Sequence, residues 1–339
     1  MPRLRKIVTC SIAIAVCCLS AHAQTSSRNT EQVQVYILSG QSNMQGIGKL
    51  DEMPPAFSEP LDNVYYWHKG AFVPLVPGET RTSNRPDEFG PEIGFTHMLH
   101  QMDPQTPVFV IKSYSQGKAL HCGWDGPQWK GEEPGPNRRN FYPGETREDP
   151  NVGVHYRDLR KTCEDAIGYL EESGLDYRFA GIVWVQGEQD AKSEVSAREY
   201  ARNLGQFKQR LQEDLGLGDL PMVYQQALPF PIETPRFAYR DEVRDQMRRA
   251  DCRSGEDVAV SQAYMVSTDG LPLISDLVHY DAAGQLMLGQ QMALAMSEAR
   301  QMAQWQAQHE DMVRAADEIF AERARLRAER QRQQAQKNQ

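Results

Sequence analysis

The chain has 339 residues, 40% of them hydrophobic and 24% charged, with a formal charge of −9. This is ordinary globular composition, and the length fits one large domain or two small ones at roughly 100–200 residues each. An acidic balance argues against a general binder of nucleic acid, while leaving room for a local site that takes an acidic glycan.

Residues 1–23 read as a leader rather than as part of the fold. Arg3, Arg5 and Lys6 make a positive start, residues 7–19 an apolar run, and Ala21-His22-Ala23 a small-residue cleavage pattern. That is the layout of a secretory signal peptide, too short at its apolar core to span a bilayer. Val16 before Cys17 is a poor context for lipid attachment. Removing the three cations takes the charge from −9 to −12. The expected product is secreted or periplasmic, with no membrane partner. Cys122, Cys163 and Cys252 remain, enough for at most one internal disulfide. None sits in a spacing that suggests zinc.

From there strand-like and helix-like segments alternate. Residues 33–38 predict a strand, 91–102 a helix and 107–112 a short apolar strand. Over residues 156–172, Leu159, Cys163, Ile167 and Leu170 form a stripe of helical period, with Cys163 on its buried face. Residues 179–185 predict a buried strand, and Tyr200, Leu204, Phe207, Leu211 and Leu215 stripe the next helix. Residues 221–227 read as a strand, 257–263 as a weaker one, and a last helix starts near Asp281. This alternation predicts a parallel sheet covered on both faces, with function on loops beyond the strands' carboxyl ends. Ser42, residues 115–117 and Gln186 all fall just after predicted strands.

Two regions break the pattern. Residues 121–152, rich in Gly, Pro, Trp, Asn and Arg, show no period, which marks a functional or disordered stretch. The main domain is expected over 24–297 and a helical tail over 298–339. In the tail Trp305, Met312, Ile319 and Leu326 recur every seven residues and the end is basic. A weak coiled-coil seam there offers self-association; a solvated helix is the other reading.

A serine hydroxyl becomes a nucleophile only with a base beside it and a group orienting that base. Among the histidines, His97 and His100 lie on a predicted helix, and His68, His121 and His155 have no obvious acid beside them. His279 differs. Asp276 stands three residues before it, and such a turn lets the acid accept from Nδ1–H while Nε2 faces a serine. Ser42, at the expected start of a helix, offers its own N–H to an oxyanion. Gly117 can present a backbone N–H without side-chain obstruction, and Gln186 a side-chain amide. Taken alone, these two read as a turn glycine and a surface glutamine.

Gly40-Gln41-Ser42-Asn43-Met44, Gln186-Gly187-Glu188 and Asp276-x-x-His279 occur in that order between residues 35 and 290. Together they resemble the SGNH-type carbohydrate esterases, in the sialate O-acetylesterase and acetylxylan esterase branch. The resemblance implies a three-layer α/β/α sandwich with a central parallel sheet, flavodoxin-like, and removal of acetyl groups from sugars without metal or other cofactor. It implies Ser42 as nucleophile, His279 as base, Asp276 as its orienter, and Ser42, Gly117 and Gln186 as oxyanion donors. Gln116-Gly117 departs from the Gly-Gly pair usual in that family. Met44 in place of a second glycine argues against the α/β-hydrolase elbow. Trp124 and Trp129 offer aromatic faces to an acetylated carbohydrate, with Arg138, Arg139 and Arg147 as donors; the alternative is a surface loop with one tryptophan packed inward. Three rival functions remain: a carbohydrate-binding protein without turnover, an esterase or thioesterase of other substrates, and an assembly protein working through its tail.

Overall fold

The computed structural model describes residues 32–229 and 236–337, with side chains as far as Leu326; the expected leader lies outside the described residues. β1 (Val33–Gly40) is apolar on both faces, and both are used. Val33, Val35 and Ile37 point into one core, Tyr36 and Leu38 into another. A strand buried on two sides belongs inside a sheet, and β1 is the central strand of seven. The others are β2 (Val64–His68), β3 (Ala71–Pro74), β4 (Val108–Tyr114), β5 (Tyr177–Val185), β6 (Met222–Gln225) and β7 (Ala263–Val266). Their order is β7-β6-β5-β1-β4-β2-β3. Every neighbouring pair is parallel except β2 with β3. That hairpin turns on Lys69 and Gly70, with φ of 51° and 88°, the left-handed pair that matches strand twist in a two-residue loop.

The helices are α1 (Ser42–Gln45), α2 (Pro91–Met102), α3 (Val154–Glu172), α4 (Glu194–Arg198), α5 (Tyr200–Asp214), α6 (Arg240–Ala250) and α7 (Ala282–Lys337). Leu159 and Cys163 of α3, Leu204 and Phe207 of α5, and Val243 and Met247 of α6 fill the first core. Ile93 and Phe95 of α2 with Leu286, Leu288 and Met292 of α7 fill the second. Helices on both faces of a mostly parallel sheet make the three-layer α/β/α sandwich expected from the sequence. No described helix is long and apolar enough to cross a membrane.

Several elements differ from the sequence reading. The weak strand expected at 257–263 is turn for most of that span, and β7 begins only at its last residue. The β2–β3 hairpin and α6 have no counterpart among the predicted elements. α6 is rich in arginine and acid, and its apolar inward face consists only of Val243, Met247 and Ala250. Residues 121–152 are ordered by side chains rather than by long elements. Trp124–Asp125 pairs with Gln128–Trp129, and Asn140 Nδ2 donates to the carbonyls of Cys122 (3.1 Å) and Trp124 (2.7 Å). The three cysteines are all free, with Cys163 buried. α7 runs unbroken through residue 298; its burial stops at Ala299.

α2 and α7 approach at the backbone. A Cβ on Gly289 would lie 2.0 Å from the Pro91 carbonyl oxygen, and one on Gly94 2.1 Å from that of Leu286. Gly289→Val should therefore force the helices apart and cost about 3 kcal/mol or more. Gly168→Ala, in α3 where a Cβ would meet nothing within 4 Å, should instead stabilise by about 0.5–1 kcal/mol. Urea unfolding of both variants checks the pair; equal midpoints would refute the close approach.

Candidate active site

β1 ends where the strand order reverses, with β4 on one side and β5 on the other. That is the crevice in which open α/β sheets take ligands. Gly40 makes the exit possible: its φ is +149°, and a Cβ there would lie 2.0 Å from the Val185 carbonyl oxygen. The Gln41 N–H donates to that oxygen at 2.9 Å. Ser42 then opens α1, so its N–H has no acceptor within the helix. Behind α1, the buried Lys112 Nζ donates to the carbonyls of Gln45 and Thr82, each at 3.0 Å, and pairs with the buried Glu92 carboxylate. Burial holds Lys112 below the ordinary lysine value even though Glu92 pulls it upward.

The histidine arrives on the loop before α7. Leu273 and Tyr280 bridge, the Ile274 N–H donates to the His279 carbonyl at 2.9 Å, and Leu277 sits at φ +62°. Inside this turn, Asp276 Oδ1 accepts from the N–H groups of Val278 (2.9 Å) and His279 (3.0 Å). Its Oδ2 lies 2.5 Å from His279 Nδ1. His279 Nε2 lies 2.8 Å from Ser42 Oγ. A carboxylate can only accept, so Nδ1 carries the proton and Nε2 is left to accept from the hydroxyl. Burial alone would raise Asp276, but the His279 and Val278 N–H groups and the His279 ring together outweigh it and hold the carboxyl below its usual value. Asp276 thus stays ionised beside the imidazole.

Asn43 joins the two loops. Its Nδ2 donates to Glu188 Oε1 (2.7 Å) and to the Val278 carbonyl (3.1 Å), and its Oδ1 accepts from the Tyr280 N–H (3.3 Å). Glu188 Oε1 also accepts from Gln225 Nε2 at 3.2 Å, while its buried Oε2 has no partner among the described residues. Burial pushes Glu188 above the usual carboxylate value, against the pull of its hydrogen bonds and of His279.

The other residues singled out by the sequence are placed unequally. Gly117 lines the same cleft as Ser42 and His279, a cavity of about 290 Å³. Its φ is +58°, and its N–H has no backbone acceptor among the described residues. Gln186 is fully buried and does not line the cleft. Its Nε2 donates to Asp190 Oδ2 (2.6 Å) and the Lys118 carbonyl (3.1 Å), and its Oε1 accepts from Tyr200 OH (3.0 Å). With both amide hydrogens taken, its side chain braces the 118–121 loop in this conformation instead of facing an oxyanion. Asp190 completes the brace by accepting from the N–H groups of Leu120 (2.9 Å) and His121 (3.1 Å).

Trp124 is also corrected. It is 4% exposed, with Nε1 donating to Ser196 Oγ at 3.0 Å, so it has no open face for a sugar. Trp129 packs edge-on against it at 5.5 Å and is part-exposed; neither lines the cleft. Arg138, Arg139 and Arg147 are engaged with the Cys122 carbonyl, Asp125 and Glu164. His121 and His155 do have acids nearby, Glu199 at 3.1 Å and Asp158 at 3.5 Å. His155 Nε2 also meets Ser115 Oγ at 3.2 Å, which ties α3 to the loop carrying Gly117. Sequence reasoning missed Gln41, Gln116, Gln189, Lys192, Arg236 and Phe237, which also line the cleft. Gln41, Gln116 and Gln189 had a signal, being neighbours of singled-out residues; Lys192, at the end of a short 3-10 turn, and Arg236 and Phe237 belong to no motif.

Glu188 gives this site a pH signature in stability. An acid raised on folding binds more protons in the native state between its unfolded value, about 4.3, and its folded one, so stability falls as pH rises through that window. Glu188→Gln removes that contribution. Measured by urea unfolding, the stability of the variant minus that of the parent should therefore grow as pH rises through the window, by about 1.4 kcal/mol per pH unit. A difference that stays flat with pH would refute the buried ionisation.

Comparison with known proteins gives the family. The Arabidopsis thaliana protein named "Probable carbohydrate esterase At4g34215" is 24% identical over 275 residues, covering 77% of this chain and 89% of its own. The solved structure of that plant protein superposes with a TM-score of 0.59 at 21% identity, over 79% of this chain and 98% of the other. NanS superposes at 0.53 and 14% identity, over 79% and 98%, and the carbohydrate acetylesterase XAC1771 of Xanthomonas citri at 0.50 and 14%, over 78% and 56%. A family model described as carbohydrate esterase, sialic acid-specific acetylesterase, matches residues 32–298. That span takes in the whole sheet and both halves of the serine–histidine contact, and the chain belongs to this family of carbohydrate acetylesterases.

Proposed function

We propose that the chain is an exported serine esterase that removes acetyl groups from O-acetylated carbohydrate, with Ser42, His279 and Asp276 carrying the reaction. The observation that carries this reading is the continuous line from Asp276 Oδ2 through His279 to Ser42 Oγ, opening into the cleft at 2.5 and 2.8 Å. His279 Nε2 takes the hydroxyl proton as Ser42 Oγ attacks the acetyl carbonyl, and Asp276 stabilises the imidazolium. The oxyanion that forms falls to the Ser42 and Gly117 N–H groups, neither of which has a backbone acceptor of its own among the described residues. His279 returns its proton to the departing sugar oxygen. Water, deprotonated by the same nitrogen, then releases acetate and restores the serine. A cleft of about 290 Å³ suits a small acyl group next to a sugar ring better than a long chain. Export rests on the leader pattern of residues 1–23.

An acetate-release screen over acetylated xylan, pectin and sialic acids tests the substrate class; no release from any of them, with an intact fold, would count against it. Ser42→Ala should lower kcat on a small aryl acetate by about 10³-fold or more with an unchanged melting temperature, since the covalent step is lost and only the binding groups remain. His279→Ala should be at least as damaging as Asp276→Asn. A serine variant keeping a tenth of parental turnover would defeat the nucleophile assignment; a parent protein that binds acetylated carbohydrate without any turnover would favour a binding protein on this scaffold.

A further inference from the structure

Beyond Ala299, α7 projects without any buried residue through Leu326. Its apolar side chains are nevertheless in register. Residues seven apart on a helix drift by only about 20°, so Trp305, Met312, Ile319 and Leu326 share one face, with Val313 and Phe320 on its flank. Trp305 is 60% exposed, Met312 68% and Phe320 65%. The same line starts on the body of the domain with Met287 and Leu294, also exposed. Arg314, Glu318 and Arg325 occupy the opposite side. A lone helix in water gains little from propensity and draws its stability from packing an amphipathic face. Four successive heptad positions of large apolar residues are such a face, and contiguous exposed apolar surface marks an interaction site.

The charge along the tail says what fits it. Residues 301–322 hold five acids against one arginine, and residues 323–337 six cations against one glutamate. We propose that the stripe pairs with its counterpart on a second copy of this chain, the two tails lying antiparallel. With residues 302–337 of the two copies overlapped in that orientation, Ile319 and Phe320 meet at the centre, Leu326 lies against Val313, and Glu310 and Asp311 of each molecule run along the basic 323–337 of the other, whereas a parallel pair would set like against like. The paired segment, residues 302–337, spans about 54 Å at 1.5 Å per residue, long enough for several heptads of knobs-into-holes packing. The esterase bodies would then sit at opposite ends of the rod. The proposal does not depend on the enzymatic reading.

Light scattering on the full chain over a concentration series tests it. Twice the chain mass is expected, with a chain ending at Arg300 and the Ile319→Asp/Phe320→Asp variant both at the single mass. The end point at Arg300 is chosen because its guanidinium donates to Gln34 and Tyr36 of β1. Aryl-acetate turnover serves only as a check that both still fold. For orientation, Trp305→Cys under oxidation should give no more linked dimer than the parent protein, because antiparallel copies hold that position far apart. A full chain at the single mass throughout, including one that binds only anionic lipid vesicles, would overturn the proposal. So would a dimer that survives truncation. Efficient cross-linking at position 305 would overturn the antiparallel arrangement.

Discussion

The side-chain amide of Asn43 is the contact on which the site depends. It bridges to a carbonyl 235 positions away in sequence and to the N–H two residues further on, so the helix start that supplies the hydroxyl and the loop that supplies the imidazole are held as one piece. A hydrogen bond of this kind contributes only about 0.5–1.5 kcal/mol net, but a buried amide left without partners costs about 1–3 kcal/mol. The larger number is what disfavours any packing in which the two loops drift apart. Neither loop could find the other by local preference. Only the sheet, with β1 at its centre and α7 returning across α2, brings them within reach.

Below this contact the support is polar, which is unusual under a reactive group only if its partners are ignored. Glu188 and Asp190 are buried carboxyls, and Lys112 a buried ammonium. Each is tied to backbone: Lys112 to two carbonyls, Asp190 to two N–H groups, Glu188 through Asn43 to one more carbonyl. Polar groups so held fix loop geometry in a way that apolar packing, which is non-directional, does not. They also make the loops mutually dependent, since removing one partner strands a buried polar group that the interior cannot solvate.

The parts of this arrangement that the sequence revealed are those encoded within a few residues. Gly40 through Met44 carries its own turn and helix start. Asp276 and His279 lie on one tight turn, so their spacing alone announces the contact. Apolar runs and stripes located β1, β4, β5, α3 and α5, because elements buried on a whole face show a clear period. The rest depends on partners from elsewhere in the chain. The amide of Gln186 is committed by the Asp190 carboxylate and the distant Lys118 carbonyl, and the ring of Trp124 by the Ser196 hydroxyl, partners that no apolar period connects. α6 escapes notice because three small or medium apolar side chains suffice to seat it, and the β2–β3 hairpin because its two-residue turn leaves almost no loop to mark it. β7 lies later than expected because the apolar residues before it serve a turn.

The left-handed backbone at Leu277 has a meaning beyond this molecule. Between acid and base the chain must reverse tightly enough for one carboxylate oxygen to take two N–H groups while the other meets the ring, and the first intervening residue absorbs that reversal at positive φ with its side chain outward, 43% exposed. The second, Val278, is turned inward, 3% exposed, with its carbonyl held by Asn43. What a sequence alphabet writes as two interchangeable unknowns is therefore a pair of opposite requirements. The first is a backbone shape, for which asparagine or glycine would serve more easily than leucine; the second is a volume. A designer transplanting this dyad, or a search profile seeking it, gains selectivity by scoring the two positions separately.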